Sequence, residues 1–202
     1  MKTKMFPLAM MALFLVAPLK VFAQEQAPAP VYQDGDFWRF RAARKVYEAS
    51  IKDGKLQIYE PKPDQKVDAD PDTAAQLKTM LAVEQEEKQF LQFPLSVGKS
   101  WSSSYQAEQR GTGRLINVPG HSSATGIEEI TTPAGTFRAF KIERVETEPP
   151  TSLGGRRPHI GARRTYTYYY SPQTRSIVKY NCEESFCGKI NEIELIKYGT
   201  AR

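Results

Sequence analysis

The chain has 202 residues, 40% hydrophobic and 25% charged, with 28 basic residues against 23 acidic for a net charge of +5. It contains 14 Pro, 13 Gly, ten Tyr, ten Phe, two Trp, two His and two Cys. These proportions exclude a collagen-like repeat, a low-complexity disordered chain and a disulfide-dense scaffold, and they fit one folded domain or two very small ones.

Lys2 and Lys4 precede an apolar run from Met5 to Val16 broken by Pro7, and Val21-Phe22-Ala23 places small residues where a signal peptidase cleaves. This predicts a secretory signal peptide over residues 1–23 and a periplasmic or secreted protein. The run is too short to span about 30 Å of hydrocarbon as a helix, and no later run reaches about 18 apolar residues, so no transmembrane span is expected in the mature protein. Cleavage removes Lys2, Lys4 and Lys20, so 25 basic residues then face 23 acidic and +5 becomes +2. Bulk charge therefore gives no reason to expect a nucleic-acid partner. Export also brings Cys182 and Cys187 into an oxidising compartment, where a disulfide is expected. The loop they enclose, Glu183-Glu184-Ser185-Phe186, is short, and closing it contributes about 2 kcal/mol in the chain-entropy view. A redox pair favours two intervening residues at a helix start, and a zinc site wants four ligands, so a structural bridge is the better reading.

Residues 24–31, with two Ala, two Pro and no periodicity, are expected as an extended tether, leaving 32–200 as a single β-rich domain. Phe37 to Arg41 alternates, with Trp38 and Phe40 on one parity and Arg39 and Arg41 on the other. Val46 to Tyr59 reads as a hairpin around Asp53-Gly54, with Ile51 opposite Leu56 and Ala49 opposite Ile58. Its other face takes Glu48, Ser50, Gln57 and Tyr59. A polar loop from Glu60 to Pro71 leads to Asp70-Pro71-Asp72, a helix N-cap, first-turn proline and first-turn acid, so a helix is predicted from Pro71 to about Lys88.

Beyond Pro94 the pattern is of strands again. These are Trp101 to Gln109, a Gly111-Thr112-Gly113 turn, Arg114 to Val118, a polar loop around Pro119 to Ser123, and Gly126 to Thr132. Pro133-Ala134-Gly135 turns the chain into Thr136 to Val145, where Phe137 and Ala139 share one parity and Phe140 and Ile142 the other. A bulge, or a strand covered on both faces, explains such a switch. After a loop from Glu146 to Arg164 come Tyr166, Tyr168 and Tyr170, a Ser171-Pro172-Gln173-Thr174 turn, Ile177 to Asn181, and finally Ile190 to Tyr198. About nine strands and one helix predict a mainly β fold, a curved antiparallel sheet or partial β-barrel with one covering α-helix. Gly35-Asp36-Phe37-Trp38 and Gly98-Lys99-Ser100-Trp101 both set Trp three residues after Gly, where Gly permits a turn and Trp anchors the strand entrance.

Four segments carry a family resemblance: Gly35 to Trp38; Phe93-Pro94-Leu95-Ser96-Val97-Gly98-Lys99-Ser100-Trp101; Gly126 to Ile130 with Thr132-Pro133-Ala134-Gly135-Thr136-Phe137; and Tyr168-Tyr169-Tyr170-Ser171-Pro172 with Ile177-Val178-Lys179. Together they resemble the domain of unknown function 3108-like family of secreted bacterial proteins, over roughly residues 32 to 181. The chain departs from that pattern at Tyr169, where Trp is common, and in the arginine-bearing insert before Arg164. The resemblance implies a β-rich architecture and an envelope or secreted setting. It implies no reaction, so no catalytic residue is transferred.

Two features stand out as candidate ligand-binding residues. Arg156, Arg157, His159, Arg163 and Arg164 cluster within nine residues, and guanidinium forks hold phosphate or carboxylate bidentately. Tyr166, Tyr168 and Tyr170 form a stripe at period two, suited to stacking on sugar or lipid as well as to core packing. His121 with a nearby Ser, or Asp36 with Glu128-Glu129, form no recognisable catalytic spacing. Phosphate-loop, dinucleotide, metalloprotease and calcium-loop patterns are absent, so no cofactor or metal is expected. The reading is an exported non-enzymatic protein binding an envelope lipid, an anionic glycan or an envelope protein. A structural subunit pairing through sheet edges is the second reading, and a cryptic hydrolase the third.

Overall fold

The computed structural model describes residues 25–63, 65–82, 90–108, 114–147, 163–183 and 190–201. Its strands are β1 (Gln26–Ala27), β2 (Phe37–Ala42), β3 (Lys45–Lys52), β4 (Lys55–Pro61), β5 (Lys66–Asp68), β6 (Leu95–Ser96), β7 (Ser100–Glu108), β8 (Leu115–Thr132), β9 (Gly135–Thr147), β10 (Arg163–Ser171), β11 (Ser176–Cys182) and β12 (Glu192–Gly199). The helix α1 spans Pro71–Met80. Ten strands form one open antiparallel sheet in the order β5-β4-β3-β2-β12-β11-β10-β9-β8-β7, and β1 pairs with β6 separately. The sheet curls: β8 touches β11 and β12, which the strand order separates from it by two and three strands. Inside the curl α1 contacts β11 and β4 and buries Leu77 and Met80, with Leu81 following. The mainly β fold with a single covering helix is thus as the sequence predicts, and the sheet does not close into a barrel.

The hairpin of β3 and β4 forms in the expected register, Ile51 facing Leu56 and Ala49 facing Ile58, with Asp53 and Gly54 both at positive φ (51° and 68°) in the turn. Tyr59 is not an outward residue. It is 7% exposed, bonds its hydroxyl to Glu48, and lies under Lys66, whose ammonium is 4.0 Å from the ring centroid. That lysine belongs to β5, a short strand where the sequence suggested only a loop. The helix starts as predicted, with the Asp70 carboxylate accepting from the Thr73 amide at 3.1 Å. It ends earlier than predicted: Leu81 caps it and Ala82 takes φ 54°, which no helix can continue through. Residues 83–89 lie outside the described residues.

Two strands expected from Arg114 to Val118 and from Gly126 to Thr132 are one continuous strand, β8. Pro119 to Ser123, read as a polar loop, runs extended inside it because β7 and β9 supply partners on both sides. Its register shifts between Ala124 and Gly126. Opposite, β9 is covered on both faces where the parity switches, Ala139 and Phe140 both being essentially inaccessible. The segment expected as a tether is docked, Ala27 being fully buried against Leu95.

Both Gly-to-Trp entries have one geometry. Gly35 and Gly98 take φ near +90° (93° and 85°), and their amides bond the Ile51 and Ala124 carbonyls. Trp38 is fully buried and Trp101 6% exposed, so both tryptophans are core anchors. Beside the first entry the buried Asp36 carboxylate accepts from the Gln33 amide (2.8 Å), the Arg175 guanidinium (2.6 Å) and the Ala201 amide (2.7 Å). It thereby joins the start of β2, the β10–β11 turn and the chain beyond β12. Asp36→Ala strands all three donors and is expected to cost about 3 kcal/mol or more. Asp34→Ala, which removes only the exposed cap on the Gly54 amide, is expected to cost under about 1 kcal/mol. Urea denaturation midpoints of the two variants check the contrast.

Candidate functional site

Cross-strand partners share a face of a sheet, so the register across β10 fixes what lies together on the concave side. Tyr170 faces Phe140 and Ile177; Tyr168 faces Ile142 and Tyr180; Tyr166 faces Arg144 and Cys182; and Arg164 faces Glu146. Moving along β10 from Tyr170 to Arg164, the concave face therefore passes from hydrocarbon through phenols to charge. Above this gradient α1 leaves a cleft of about 200 Å³, lined by Ala75, Gln76, Thr79 and Met80 from the helix, Phe90, and Tyr105, Glu146, Tyr166, Tyr168 and Tyr180 from the sheet.

Glu146 is the carboxylate of this cleft, and both its oxygens are engaged. Arg144 donates from Nε to Oε1 at 2.8 Å, and the Tyr105 hydroxyl donates to Oε2 at 3.0 Å. Arg144 is wholly inaccessible, donates from Nη1 to Ser103 and Ser122 (2.9 and 3.1 Å), and lies under Phe90 with its guanidinium carbon 4.7 Å from the ring centroid. Among the described residues its Nη2 finds no hydrogen-bond partner. Room for the guanidinium exists because position 120 is Gly: a Cβ there would lie 2.1 Å from Nη2 and 2.5 Å from Cζ.

The tyrosines pack on one another, and Tyr168 and Tyr180 are each only 3% exposed. Tyr166 and Tyr168 have ring centroids 6.3 Å apart at 29°, Tyr166 and Tyr180 6.2 Å at 23°, and Tyr168 and Tyr180 5.3 Å at 39°. Gln76 of the helix hydrogen-bonds the Tyr180 hydroxyl. Burial pushes the Tyr105, Tyr166 and Tyr180 hydroxyls upward, and the Glu146 charge pushes them further. Tyr168 is raised most plainly by burial, then by Tyr180 and Glu146. All four are neutral phenols at ordinary pH and act as hydrogen-bonding groups rather than bases.

Of the residues singled out from sequence, Tyr166 and Tyr168 line the cleft, and Arg164 stands on the same face next to them, across from Glu146. Tyr170 does not reach the cleft; it is 1% exposed and packs edge-on against Phe93 at 5.2 Å. Arg163 opens β10 on the opposite parity and is exposed. Arg156, Arg157 and His159 lie outside the described residues, as does Cys187, while Cys182 ends β11 in a buried position. His121 faces outward from β8 with Nδ1 3.2 Å from the Ser102 Oγ. Asp36 serves the clasp above, and the exposed Glu128 pairs with Lys141 at 3.4 Å. Sequence reasoning missed Phe90, Tyr105, Glu146 and Tyr180. A signal existed in β9: Arg144 and Glu146 continue the parity of Phe140 and Ile142, so charges were written on an apolar face.

No family model matches the chain, and no curated protein matches it. Among solved structures it is similar to the hypothetical lipoprotein YmcC from Escherichia coli (K12), at 11% identity over 82% of this chain and 85% of that one, with a TM-score of 0.38. Among the described residues no helix is long and apolar enough to cross a membrane, and no cluster of His, Cys, Asp or Glu is arranged to hold a metal ion.

Two outcomes are expected. Gly120→Ala forces the buried guanidinium to move and should lower stability by about 3 kcal/mol, read from thermal or urea unfolding; Gly54→Ala, with open space around it, is limited to the backbone strain of a positive φ, about 1 kcal/mol. Second, tyrosines with raised folded values contribute stability that is intact below the unfolded value near pH 10 and lost as pH rises above it. Stability should fall by up to about 1.4 kcal/mol per pH unit for each such tyrosine. Tyrosinate absorbance and circular dichroism should change together in one cooperative alkaline transition, not in separate steps.

Proposed function

We propose that the chain is an exported, non-enzymatic binding protein of the bacterial envelope, the setting being the one that its resemblance to the domain of unknown function 3108-like family implies. Its ligand seats in the cleft between α1 and strands β7, β9, β10 and β11. The observation that carries this reading is the lining: four tyrosines and a phenylalanine around one carboxylate whose oxygens are both already bonded. Aromatic walls with a few placed polar groups suit recognition. A carboxylate clamped by Arg144 and Tyr105 suits shaping a site better than moving protons, and that supports binding over turnover. The proposal includes the leader over residues 1–23 and a Cys182–Cys187 bridge closing the turn after β11.

A specific observation favours the assembly reading as second choice. One edge of the sheet, β5, has three residues including Lys66 and follows Pro61 and Pro63, which are features that discourage pairing. The other edge, β7, has nine residues, no proline and one charge, Glu108. An edge of that kind suits strand addition by a partner.

Native mass spectrometry of residues 24–202, purified from an oxidising compartment without detergent, tests both readings. The expected result is a monomer two hydrogens lighter than the reduced chain, carrying a non-covalent adduct that Tyr166→Ala and Tyr180→Ala lose while remaining folded. A ligand-free oligomer overturns the binding reading in favour of the edge.

A further inference from the structure

Backbone pairing in an antiparallel sheet alternates, each residue turning its N–H and C=O toward one neighbouring strand or the other. Along β7 two observations fix which residues turn which way. The Ala124 amide donates to the Lys99 carbonyl at 2.8 Å, and Pro119, which has no N–H to exchange, stands opposite Ser104. The odd-numbered residues of β7 therefore bond to β8, while the N–H and C=O groups of Ser100, Ser102, Ser104, Gln106 and Glu108 point away from the sheet. All five of these residues are exposed, whereas Trp101, Ser103, Tyr105 and Ala107 are not. Among the described residues no strand pairs on that side. The result is a row of donors and acceptors about 27 Å long.

The side chains of the same five residues stand on the convex face, opposite to Tyr105. There a groove of about 530 Å³ adjoins the edge, lined by Ser102 and Ser104 of β7, Pro119 and His121 of β8, and Val145 and Thr147 of β9. The cross-strand pairs Ser102–His121, Ser104–Pro119 and His121–Val145 put these residues on one face. The volume falls in the roughly 300–1,000 Å³ range of ligand clefts. Among the described residues, none that line the groove is Lys, Arg, Asp or Glu.

The residue of an added strand that pairs with Ser104 shares its face. From there Pro119 is two strand spacings away, about 9.6 Å, a reach that long side chains have and Val or Thr lack. The small Ser102 and Ser104 leave that path open. No acid in the groove meets a cationic head. Pro119 and Val145 supply apolar surface, while Thr147 and the Ser102–His121 pair, 3.2 Å apart, supply polar groups, a combination suited to an aromatic ring with a polar tip. Charge adds a second requirement. Glu108 is the one charged residue of β7, exposed and four positions beyond Ser104. In an antiparallel strand, the direction of every pairing in this sheet, the residue opposite Glu108 comes four before the residue opposite Ser104. A Lys or Arg there forms a favourable cross-strand pair.

We propose that β7 takes an extended segment of a partner protein as a further antiparallel strand, and that this segment carries a basic residue followed four positions later by a tyrosine or tryptophan whose ring fills the convex groove. The proposal rests on the second reading above, of β7 as an edge open to strand addition, and deepens it by naming what the edge recognises. It does not depend on the tyrosine cleft.

The test titrates the folded mature chain with the peptide acetyl-Lys-Thr-Val-Thr-Tyr-Thr-Val-Thr-amide, and with forms carrying Thr in place of its Tyr or Glu in place of its Lys, followed by amide chemical shifts and hydrogen exchange. The parent peptide is expected to bind about tenfold or more tighter than the Thr form and several-fold tighter than the Glu form. Its binding should protect the amides of Ser102, Ser104 and Gln106, and leave those of Ser103 and Tyr105, already bonded to β8, unchanged. Ser104→Pro, which removes an outward N–H, should abolish binding at a nearly unchanged Tm. Ser102→Phe, which fills the groove from β7 itself, should bring the parent peptide down to the affinity of the Thr form. Alternating protection with equal affinities for all three peptides overturns the proposed recognition and leaves the edge reading standing. Binding without that alternation, or no binding of any peptide, overturns the proposal, and in the first of these cases the edge reading falls with it. Alternating protection that grows with protein concentration in the absence of peptide overturns it in favour of a second copy of this chain on the edge.

Discussion

A ten-residue helix is about 15 Å long, while ten strands at about 4.8 Å spacing make a sheet about 43 Å wide. One short helix cannot cover such a face, and every other feature of the concave side answers that mismatch. The sheet curls until β8 meets β11 and β12, which narrows the face to be covered. Large side chains fill what the helix leaves: Trp38, Phe40, Phe140 and Tyr170 are all almost fully buried. At the end nearest Arg164 even this is insufficient, and the space between helix and sheet is the tyrosine cleft.

The buried Arg144–Glu146 pair is best understood in that setting. Taking two charges out of water costs several kcal/mol per ion, and mutual attraction with good hydrogen bonds offsets the cost without adding much stability beyond it. A well-packed pair of hydrocarbons would hold the sheet as well. What the ions do instead is fix directions: Arg144 ties β9 to β7 through Ser103 and to β8 through Ser122, and Glu146 fixes the Tyr105 ring at the cleft wall. Glycine at position 120 is the counterpart of this arrangement, since the bare backbone of β8 is the floor on which the guanidinium rests.

Most of the architecture was legible because it is written in alternation and in turns. Asp53-Gly54 fixed a hairpin register, Asp70-Pro71 a helix start, and each Gly-to-Trp step a strand entrance, all local chemistry. What alternation cannot show is covering from the far side. Pro119 to Ser123 looks like a loop because its residues are polar or turn-forming, yet pairing on both edges holds it extended. Tyr59 looks like a surface residue until Lys66 from β5 is laid over it. The cleft was half legible: Tyr166 and Tyr168 announced themselves by spacing, whereas Tyr105, Glu146 and Tyr180 join them only through the order of strands. Phe90 joins them from a segment in which the helix was expected to have barely ended.

The Asp36 clasp has a consequence for how the fold is reached. It ties the entrance of β2 to the amide of Ala201, 165 residues away in sequence, and β2 lies in the middle of the sheet with β12 as its neighbour. A ribosome making this chain completes β2, β3 and β4 early, yet the central pairing that joins this hairpin to the rest of the sheet waits for β12, which follows all the other strands in chain order. Non-local pairing of this kind is slow in any case. The ten-stranded sheet is therefore unfinished until β12 has been made, and its two halves lock together only when that strand arrives.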